Sequence, residues 1–300
     1  MKIKKWLMVL NIVLVLILVF SIGGCIAKRE KVVVIPLSGT IADVGQQGLL
    51  TAQGITPDLV RSYLKRAESD AKVKAVVLRI NSPGGSAAAS QEIASDIRRF
   101  RNETGKLVVV SMGDMAASGG YYISVYADKI VANPGTLTGS IGVISQFIYI
   151  QGLLDKLGLE METIKAGEHK DMGIRPFTEE EQQIMQDITD DLYEQFVAAV
   201  AEGRSLSVSK VKQLATGQLY TGRQALDLGL VDDLGGLDIA IEVATDLAGL
   251  TTPEIEEYAP GVSFLEKLLG GFSALVSLPF STDEMLFLRM LEGWQGMPRY

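Results

Sequence analysis

The chain has 300 residues, one histidine, one cysteine and a formal net charge of −8. A single cysteine excludes an intrachain disulfide and a Cys-x-x-Cys redox or zinc pair, and a single histidine excludes a metal site built on several histidines. The acidic balance argues against a nucleic-acid-binding protein, which usually presents a basic face.

The first 28 residues predict a membrane segment. A basic start, Met1–Lys5, precedes an apolar run from Trp6 to Ile26, and about 20 apolar residues suffice to cross a bilayer. The same pattern fits a secretory signal, and Ile22–Cys25 resembles a bacterial lipobox in which Cys25 is lipidated and becomes the mature N-terminus. Uncleaved anchor and lipoprotein both remain open, and both place the folded part on the extracytoplasmic side.

Beyond the membrane segment, apolar β-branched runs alternate with helical patterns. The predicted strands are Val32–Leu37, Lys74–Asn81, Leu107–Met112, Lys129–Ala132, Ile141–Ile144 and Glu160–Lys165. Thr56 and Pro57 predict the start of one helix, as N-cap and first helical residue, and Ile93, Ile97 and Phe100 share one face of the next. This alternation predicts an α/β fold with a mostly parallel sheet.

The second half of the chain is predicted to be mainly helical. Thr178–Gly203 has a capping threonine, three glutamates at its positive end and an apolar stripe typical of a core or subunit contact. Shorter helices are predicted at Ser207–Ala215 and Arg223–Leu228. The predicted organisation is a membrane segment over 1–28, a folded domain over 29–250 and an apolar helical tail over 251–300. Packing on its own domain, an oligomer contact and a position at the membrane surface all remain open for the tail.

A serine among small residues follows the strand predicted at Leu107–Met112, in the sequence Met115–Tyr122. A strand that delivers a serine to the first turn of a helix places it near unpaired backbone N–H groups, which favour negative charge. Ser118 is therefore a candidate nucleophile. The alternative is that the small residues only permit close helix packing.

A serine nucleophile requires a base, and the composition leaves two candidates, His169 and its neighbour Lys170. A lysine can accept a proton when burial or a nearby positive charge disfavours its ammonium form. Most lysines are instead solvated surface charges. The residues alone leave the choice open.

The turn after the strand Lys74–Asn81 is a third candidate element. Its sequence, Asn81–Gly85, ends in two glycines that can direct backbone N–H groups as an oxyanion hole requires. An ordinary strand-to-helix turn is the alternative.

Five motifs in a fixed order carry a resemblance to a known family. They are Asn81–Gly85, Met115–Tyr122, Leu137–Val143, Gly167–Asp171 and Tyr220–Asp232. Together they resemble the signal peptide peptidase A (SppA) family of serine proteases, from about Lys31 to about Leu247. The chain has no internal repeat, so it resembles the short form with one catalytic domain.

The resemblance implies a role for each of five residues. They are the nucleophile Ser118, the general base Lys170, the lysine-orienting Ser140 and the oxyanion-hole donors Gly85 and Gly119. His169 has no role in the family, so the resemblance favours Lys170 as the base. A free lysine has a pKa of about 10.4, and a lysine base requires that value to fall in the folded site.

The resemblance further implies a fold, an activity and an assembly. The fold is a ClpP/crotonase-like spiral of ββα units, and the reaction is peptide-bond hydrolysis through an acyl-enzyme, without metal or organic cofactor. Family members degrade cleaved signal peptides at the membrane and form dome-like homo-oligomers. The alternatives are a protease specific for a membrane-protein partner such as a stomatin-like protein, an acyl-CoA enzyme of the same fold, and a non-catalytic scaffold.

Overall fold

The computed structural model describes residues 29–43 and 54–258, which form a mixed α/β structure around one sheet. The strands of this part are β1 (Lys31–Ser38), β2 (Val73–Ser82), β3 (Leu107–Ala117), β4 (Lys129–Ala132), β5 (Leu137–Gly139), β6 (Leu219–Thr221), β7 (Asp233–Leu234) and β8 (Glu254–Glu257). The helices are α1 (Pro57–Ser69), α2 (Ala87–Thr104), α3 (Gly119–Tyr122), α4 (Gln151–Lys156), α5 (Glu179–Gly203), α6 (Val208–Leu214), α7 (Gly222–Asp227) and α8 (Leu237–Leu247).

The sheet has the strand order β6-β5-β3-β2-β1-β8, with β4 beside β3 and β7 beside β4. Every pairing is parallel except that of β5 with β6. Parallel neighbours need a crossover connection, and α1 and α2 supply it between β1 and β2 and between β2 and β3. The sequence prediction of a mostly parallel sheet with helices packed on it is therefore confirmed.

The length of β3 determines where the chain leaves the sheet. Val109–Met112 pair with β4, whereas Met115–Ala117 continue past that strand and pair with β5. On its other side, β3 keeps β2 as a neighbour up to the register pair of Ala116 with Ser82. Ser118 thus follows directly on a strand end that is flanked on both sides.

Both faces of the central strands are buried, as expected for a parallel sheet covered by helices. Val76, Leu78 and Val108 belong to the larger core, which includes residues of α1, α2 and α5. The alternate residues Val77 and Val109 pack on the other face in a smaller cluster that includes residues of α8. Each fully buried aliphatic side chain of this kind contributes roughly 1.5–3 kcal/mol to folding.

The short helix α3 depends on tertiary contacts, because one helical turn has little stability of its own. Tyr121 is fully buried and its hydroxyl donates to the Leu230 carbonyl at 2.9 Å. The ring of Tyr122 lies 5.0 Å, centroid to centroid, from the ring of Phe196 in α5. These contacts fix the helix that begins immediately after Ser118.

The predicted starts of two helices are confirmed. The hydroxyl of Thr56 accepts from the N–H of Leu59 at the start of α1. At the start of α5, Thr178 accepts from the N–H of Glu181, whose carboxylate in turn accepts from the N–H of Thr178. This reciprocal capping box satisfies two backbone donors of the helix terminus.

Two predicted strands are wrong. Ile141–Ile144 has no partner strand; the short strand lies just before it, at β5. Glu160–Lys165 is irregular and exposed at every residue. Both segments have apolar residues, but within the described residues no neighbouring strand supplies hydrogen bonds, and residue type alone does not make a strand.

The folded domain extends further than the predicted boundary at residue 250. Residues 254–257 form β8, an edge strand parallel to β1, and Tyr258 is buried. The predicted tail therefore begins after Tyr258, and 259–300 lie outside the described residues, as do the membrane segment over 1–28 and Cys25. Across 29–43 and 54–258, no helix combines the length and the apolar character needed to cross a bilayer.

Gly222→Ala tests the packing of α7 against the turn after β4. A methyl group on Gly222 would lie 2.1 Å from the carbonyl oxygen of Asn133, a backbone atom that cannot move freely. We expect a loss of about 1–3 kcal/mol of unfolding free energy, although alanine has the better helix propensity by about 1 kcal/mol. Urea unfolding measures the change.

Gly135→Ala is the matched control, because apart from its two chain neighbours no atom of the described residues lies within 4 Å of a methyl group at that position. This variant should keep the wild-type unfolding midpoint. Equal midpoints for the two variants would contradict the packing described here.

Candidate active site

Ser118 occupies a sharp turn between β3 and α3. Its backbone has φ 52° and ψ −121°, a conformation that costs a non-glycine residue about 1–3 kcal/mol and persists only where neighbours enforce it. The Ser118 N–H donates to the Gly139 carbonyl at 2.8 Å, and the Ser118 carbonyl accepts from the Tyr122 N–H at 2.9 Å. The side chain is half-buried. A strained strand-to-helix turn of this kind presents a serine hydroxyl at the top of a sheet.

The Gly84–Gly85 turn lies against the backbone of Ile41. The Ile41 N–H donates to the Gly84 carbonyl at 2.9 Å, and the Ile41 carbonyl accepts from the Ser86 N–H at 2.9 Å. A methyl group on Gly85 would lie 2.0 Å from that same carbonyl oxygen, so only glycine fits. The buried hydroxyl of Ser82, at the end of β2, accepts from the Gly84 N–H at 3.1 Å and thereby holds the turn.

The two turns meet at Ser118. A methyl group on Gly84 would lie 2.8 Å from the Ser118 Cβ and 2.7 Å from the Gly119 nitrogen. A methyl group on Gly119 would lie 3.2 Å from the Gly85 nitrogen. Within the described residues no acceptor is bonded to the N–H of Gly85 or of Gly119. Two unpaired donors beside a serine can stabilise the oxyanion of a tetrahedral intermediate.

Ser140 lies next to the residue that holds Ser118. Its neighbour Gly139 accepts from the Ser118 N–H, and the Ser140 N–H itself donates to the Gln218 carbonyl at 2.8 Å. Ser140 has a positive φ of 49° and is half-buried. The structure therefore brings four predicted site residues together: Ser118, Gly85, Gly119 and Ser140.

Lys170 stands apart from this group. It is exposed, its N–H donates to the Gly167 carbonyl at 3.3 Å, and across the described residues its ammonium has no hydrogen bond or ion pair. Its neighbour His169 has its Nδ1 3.4 Å from the Oε1 of Glu181. Within one chain no hydrogen bond joins Lys170 to Ser118.

Sequence reasoning missed two serines that lie beside the turns. Ser82 carries the hydroxyl below Gly84, and Ser90 has its Oγ 2.5 Å from where a methyl group on Gly119 would stand. Ser90 is buried and donates to the Ser86 carbonyl at 2.8 Å. The available signal for Ser90 was its position on the apolar face of α2, three residues before Ile93.

Comparison with known proteins gives the family. The sequence profile of "Peptidase family S49" matches residues 100–251. A Synechocystis sp. protein named as a candidate protease is 40% identical over 256 residues, which cover 84% of this chain and 87% of that protein. An Enterococcus faecium protein named as a candidate signal peptide peptidase SppA is 38% identical, over 77% of this chain and 68% of its own length.

The chain belongs to peptidase family S49. This S49 chain is a serine protease, as the SppA resemblance implied. It is also 33% identical to the chloroplastic serine protease SPPA of Arabidopsis thaliana, over 91% of this chain and 41% of that protein.

Solved structures share the fold of this S49 protease. A mutant of a "1510-N membrane-bound stomatin-specific protease" aligns with a TM-score of 0.51, at 18% identity, over 78% of this chain and 99% of that one. A second mutant of the same protein, in complex with a substrate peptide, aligns with the same TM-score at 19% identity. At this level of identity the likeness concerns the fold alone.

Gly119→Ala tests the oxyanion hole of this S49 protease. The added methyl group would press on the Ser90 Oγ, 2.5 Å away, and on the Gly85 nitrogen, 3.2 Å away. Separating the two N–H donors should lower kcat for a peptide substrate by about 10²–10³. Steady-state kinetics measures the loss.

Ser90→Ala provides the control and a partial rescue. Alone it removes only a hydroxyl bonded to Ser86 and should leave kcat close to wild type. Combined with Gly119→Ala it removes the nearest clash and should restore part of the lost turnover. Wild-type kcat in Gly119→Ala would contradict this assignment of the oxyanion hole.

Proposed function

We propose that this protease is a membrane-attached endopeptidase in which Ser118 is the nucleophile and Lys170 the general base. The observation that carries the proposal is the meeting of Ser118 with the unpaired N–H groups of Gly85 and Gly119. Ser140, one residue beyond the carbonyl that holds Ser118, is proposed to orient the lysine. A spiral of ββα units, as in the ClpP/crotonase fold, is the architecture we infer for this site.

The proposed reaction proceeds in two halves through an acyl-enzyme. The neutral amine of Lys170 takes the proton of the Ser118 hydroxyl as its oxygen attacks the peptide carbonyl carbon, and the two N–H groups stabilise the resulting oxyanion. The C–N bond then breaks, and Lys170 returns the proton to the leaving amine. Water attacks the ester with the same proton transfers, which releases the acid and restores Ser118.

His169 is the rival base, and its contacts argue against it. Its Nδ1 faces the Oε1 of Glu181 at 3.4 Å, and its Nε2 lies 3.9 Å from a carboxylate oxygen of Glu180. His169 therefore lies against two carboxylates at the start of α5, and its contacts tie its loop to that helix. Lys170, in contrast, has an amine with no hydrogen-bond partner within the described residues.

We infer that a neighbouring copy of the chain brings Lys170 to Ser118. The packing of α3 on α5 occurs at Phe196, whereas the loop of Lys170 is bound to Glu181 at the far end of that helix. The rise from Phe196 to Glu181 along α5 is about 22 Å. A second copy removes this separation, because it supplies its own Lys170 loop to the Ser118 of the first.

The segment that precedes Lys170 supports such an assembly. Between 144 and 164 it exposes large apolar side chains, among them Ile148 at 86% and Ile164 at 93%. Exposed apolar side chains that form a contiguous patch mark an interaction site. We therefore propose a homo-oligomer that covers this segment.

The proposed substrates are cleaved signal peptides. The relatives named SppA support this proposal by their names, and an apolar N-terminal run suits an enzyme that meets such peptides at the outer face of a membrane. Attachment would come from an uncleaved anchor or from lipidation of Cys25. Mass spectrometry of the mature N-terminus distinguishes these two forms.

Single substitutions test the proposed dyad. Ser118→Ala should abolish both peptide turnover and covalent labelling by a fluorophosphonate, whose phosphorus bonds the serine oxygen as fluoride leaves. Lys170→Ala should abolish turnover at every pH, whereas the wild-type kcat should rise with pH, because the amine must be neutral to accept a proton. His169→Ala is the matched control and should retain that rise. If Lys170→Ala kept turnover and its rise with pH while His169→Ala lost them, the base would be His169.

Mixing two inactive variants tests the assembly. Ser118→Ala and Lys170→Ala chains, unfolded and refolded together, should recover activity at about a quarter of the sites if each site combines one chain's serine with its neighbour's lysine. Each variant refolded alone stays inactive and serves as the control. No recovery in mixed oligomers, verified by two affinity tags, would show that one chain supplies both groups.

A further inference from the structure

The loop that carries Lys170 places no side chain in the hydrophobic core. From residue 142 to residue 180 no side chain is buried, and the first buried residue after Ile141 is Glu181. The Glu181 side chain is 1% exposed. An acidic residue is rarely so buried unless it is paired, so its contacts determine how this loop is held.

The carboxylate of Glu181 binds three parts of the same loop. Arg175 donates from Nη1 to Oε2 and from Nη2 to Oε1, both at 2.8 Å. The Thr178 N–H donates to Oε2 at 2.9 Å, and the Nδ1 of His169 lies 3.4 Å from Oε1. A bidentate guanidinium–carboxylate pair fixes both direction and distance, which a single point charge does not.

Both sequence neighbours of Lys170 are held by this network. His169 contacts Glu181, and Asp171 accepts from the Nε and Nη2 of Arg175 at 2.9 Å and 3.1 Å. Lys165 closes the network through its Nζ, 2.7 Å from the Oδ1 of Asp171. The residues on both sides of Lys170 are thus held by side-chain contacts, while the Lys170 amine makes none of these contacts.

We propose that Glu181 and Arg175 are positioning residues for the base Lys170. The proposal rests on the proposed function, since it assigns them to the placement of that base. Arg175 bridges the carboxylates of Glu181 and Asp171 and thereby keeps both occupied. Neither is then available to pair with the neighbouring ammonium, where a carboxylate would favour the charged form and oppose proton acceptance.

The two carboxylates of the network, Glu181 and Asp171, stay ionised at neutral and alkaline pH. Hydrogen bonds from Arg175 and from the Thr178 N–H hold the pKa of Glu181 at about 2, and hydrogen bonds from Lys165 and Arg175 hold the pKa of Asp171 at about 2. Because these folded values lie below those of the free acids, the network stabilises the loop above about pH 4. That stabilisation is lost only as the pH falls toward 2, so a change of kcat at alkaline pH reports on other groups.

Glu181→Gln in the full-length enzyme is the direct test. It keeps the size of the side chain and removes the charge that Arg175 binds. We expect kcat for a peptide substrate to fall by about 10- to 100-fold, because small displacements of a catalytic group are costly, with KM changed less than about threefold. We also expect the alkaline rise of kcat to move to lower pH, because the variant removes a negative charge and leaves the Arg175 guanidinium with one carboxylate partner fewer near the base.

Glu179→Gln is the matched control. It removes the same charge from the same first turn of α5, and Glu179 is exposed. Its kcat and pH profile should match those of the wild type. A loss of folded protein alone would lower kcat without moving the pH profile, so the shift distinguishes positioning from stability.

Arg175→Gln is the second variant, because Glu181→Gln also weakens the helix cap. It leaves the bond from the Thr178 N–H to Glu181 in place and should reproduce the loss of kcat. Its alkaline rise should instead move to higher pH, because the carboxylates of Glu181 and Asp171 lose their guanidinium partner and favour the ammonium form of the base. The double variant should lose no more than either single variant, as for two groups that act as a unit. A folded Arg175→Gln enzyme with wild-type kcat and pH profile would overturn the proposal. If Lys170→Ala is active as well, the proposed function itself fails; if Lys170→Ala is inactive, only the positioning role is lost.

Discussion

The close approach of two backbone turns at Ser118 is the constraint on which the site depends. Gly84 approaches Ser118 and Gly119 so closely that it leaves no room for a Cβ, and Gly85 leaves none against the backbone of Ile41. The approach requires β2 and β3 to end side by side, and their register pairs Ser82 with Ala116 just before the two turns. Packing of both sheet faces therefore bears directly on the placement of two N–H donors.

The nucleophile and the base are held by different kinds of interaction. Ser118 follows a buried strand and precedes a helix fixed by Tyr121 and its hydrogen bond to Leu230. The Lys170 loop is held by charge pairs and by one buried carboxylate, with no side chain in the core. Hydrophobic packing is insensitive to direction, whereas a guanidinium–carboxylate pair is strongly directional. The second mode suits a group whose chemistry depends on its orientation.

Much of the sheet could be predicted from the sequence, because buried parallel strands are nearly continuous apolar runs. β1, β2 and β4 are examples. β3 proved longer than its apolar run, since it continues through Gly113 and Asp114 to Met115–Ala117, which pair with β5. Ile141–Ile144 failed for the converse reason: its residues favour a strand but find no partner among the described residues.

The candidate site divides in the same way. The proximity of Ser118, Gly85 and Gly119 was expected from the strand ends that carry them and from the family resemblance. The network of Glu181 and Arg175 was not predicted. Thr178 and Glu181 have the spacing of a capping box, but that spacing does not reveal that the Glu181 carboxylate also binds Arg175. The proposed meeting of Lys170 with Ser118 requires a second copy of the chain, which no local sequence pattern could predict.

The outer strand β8 has a consequence for how copies of the chain can meet. Glu254, Glu256 and Glu257 give this edge three carboxylates, and only Glu256 has cationic partners within the described residues, Lys31 and Arg66. An incoming strand from another molecule would have to desolvate the remaining negative charges, and identical edges would repel each other. Sheet-to-sheet polymerisation is thereby discouraged along this edge.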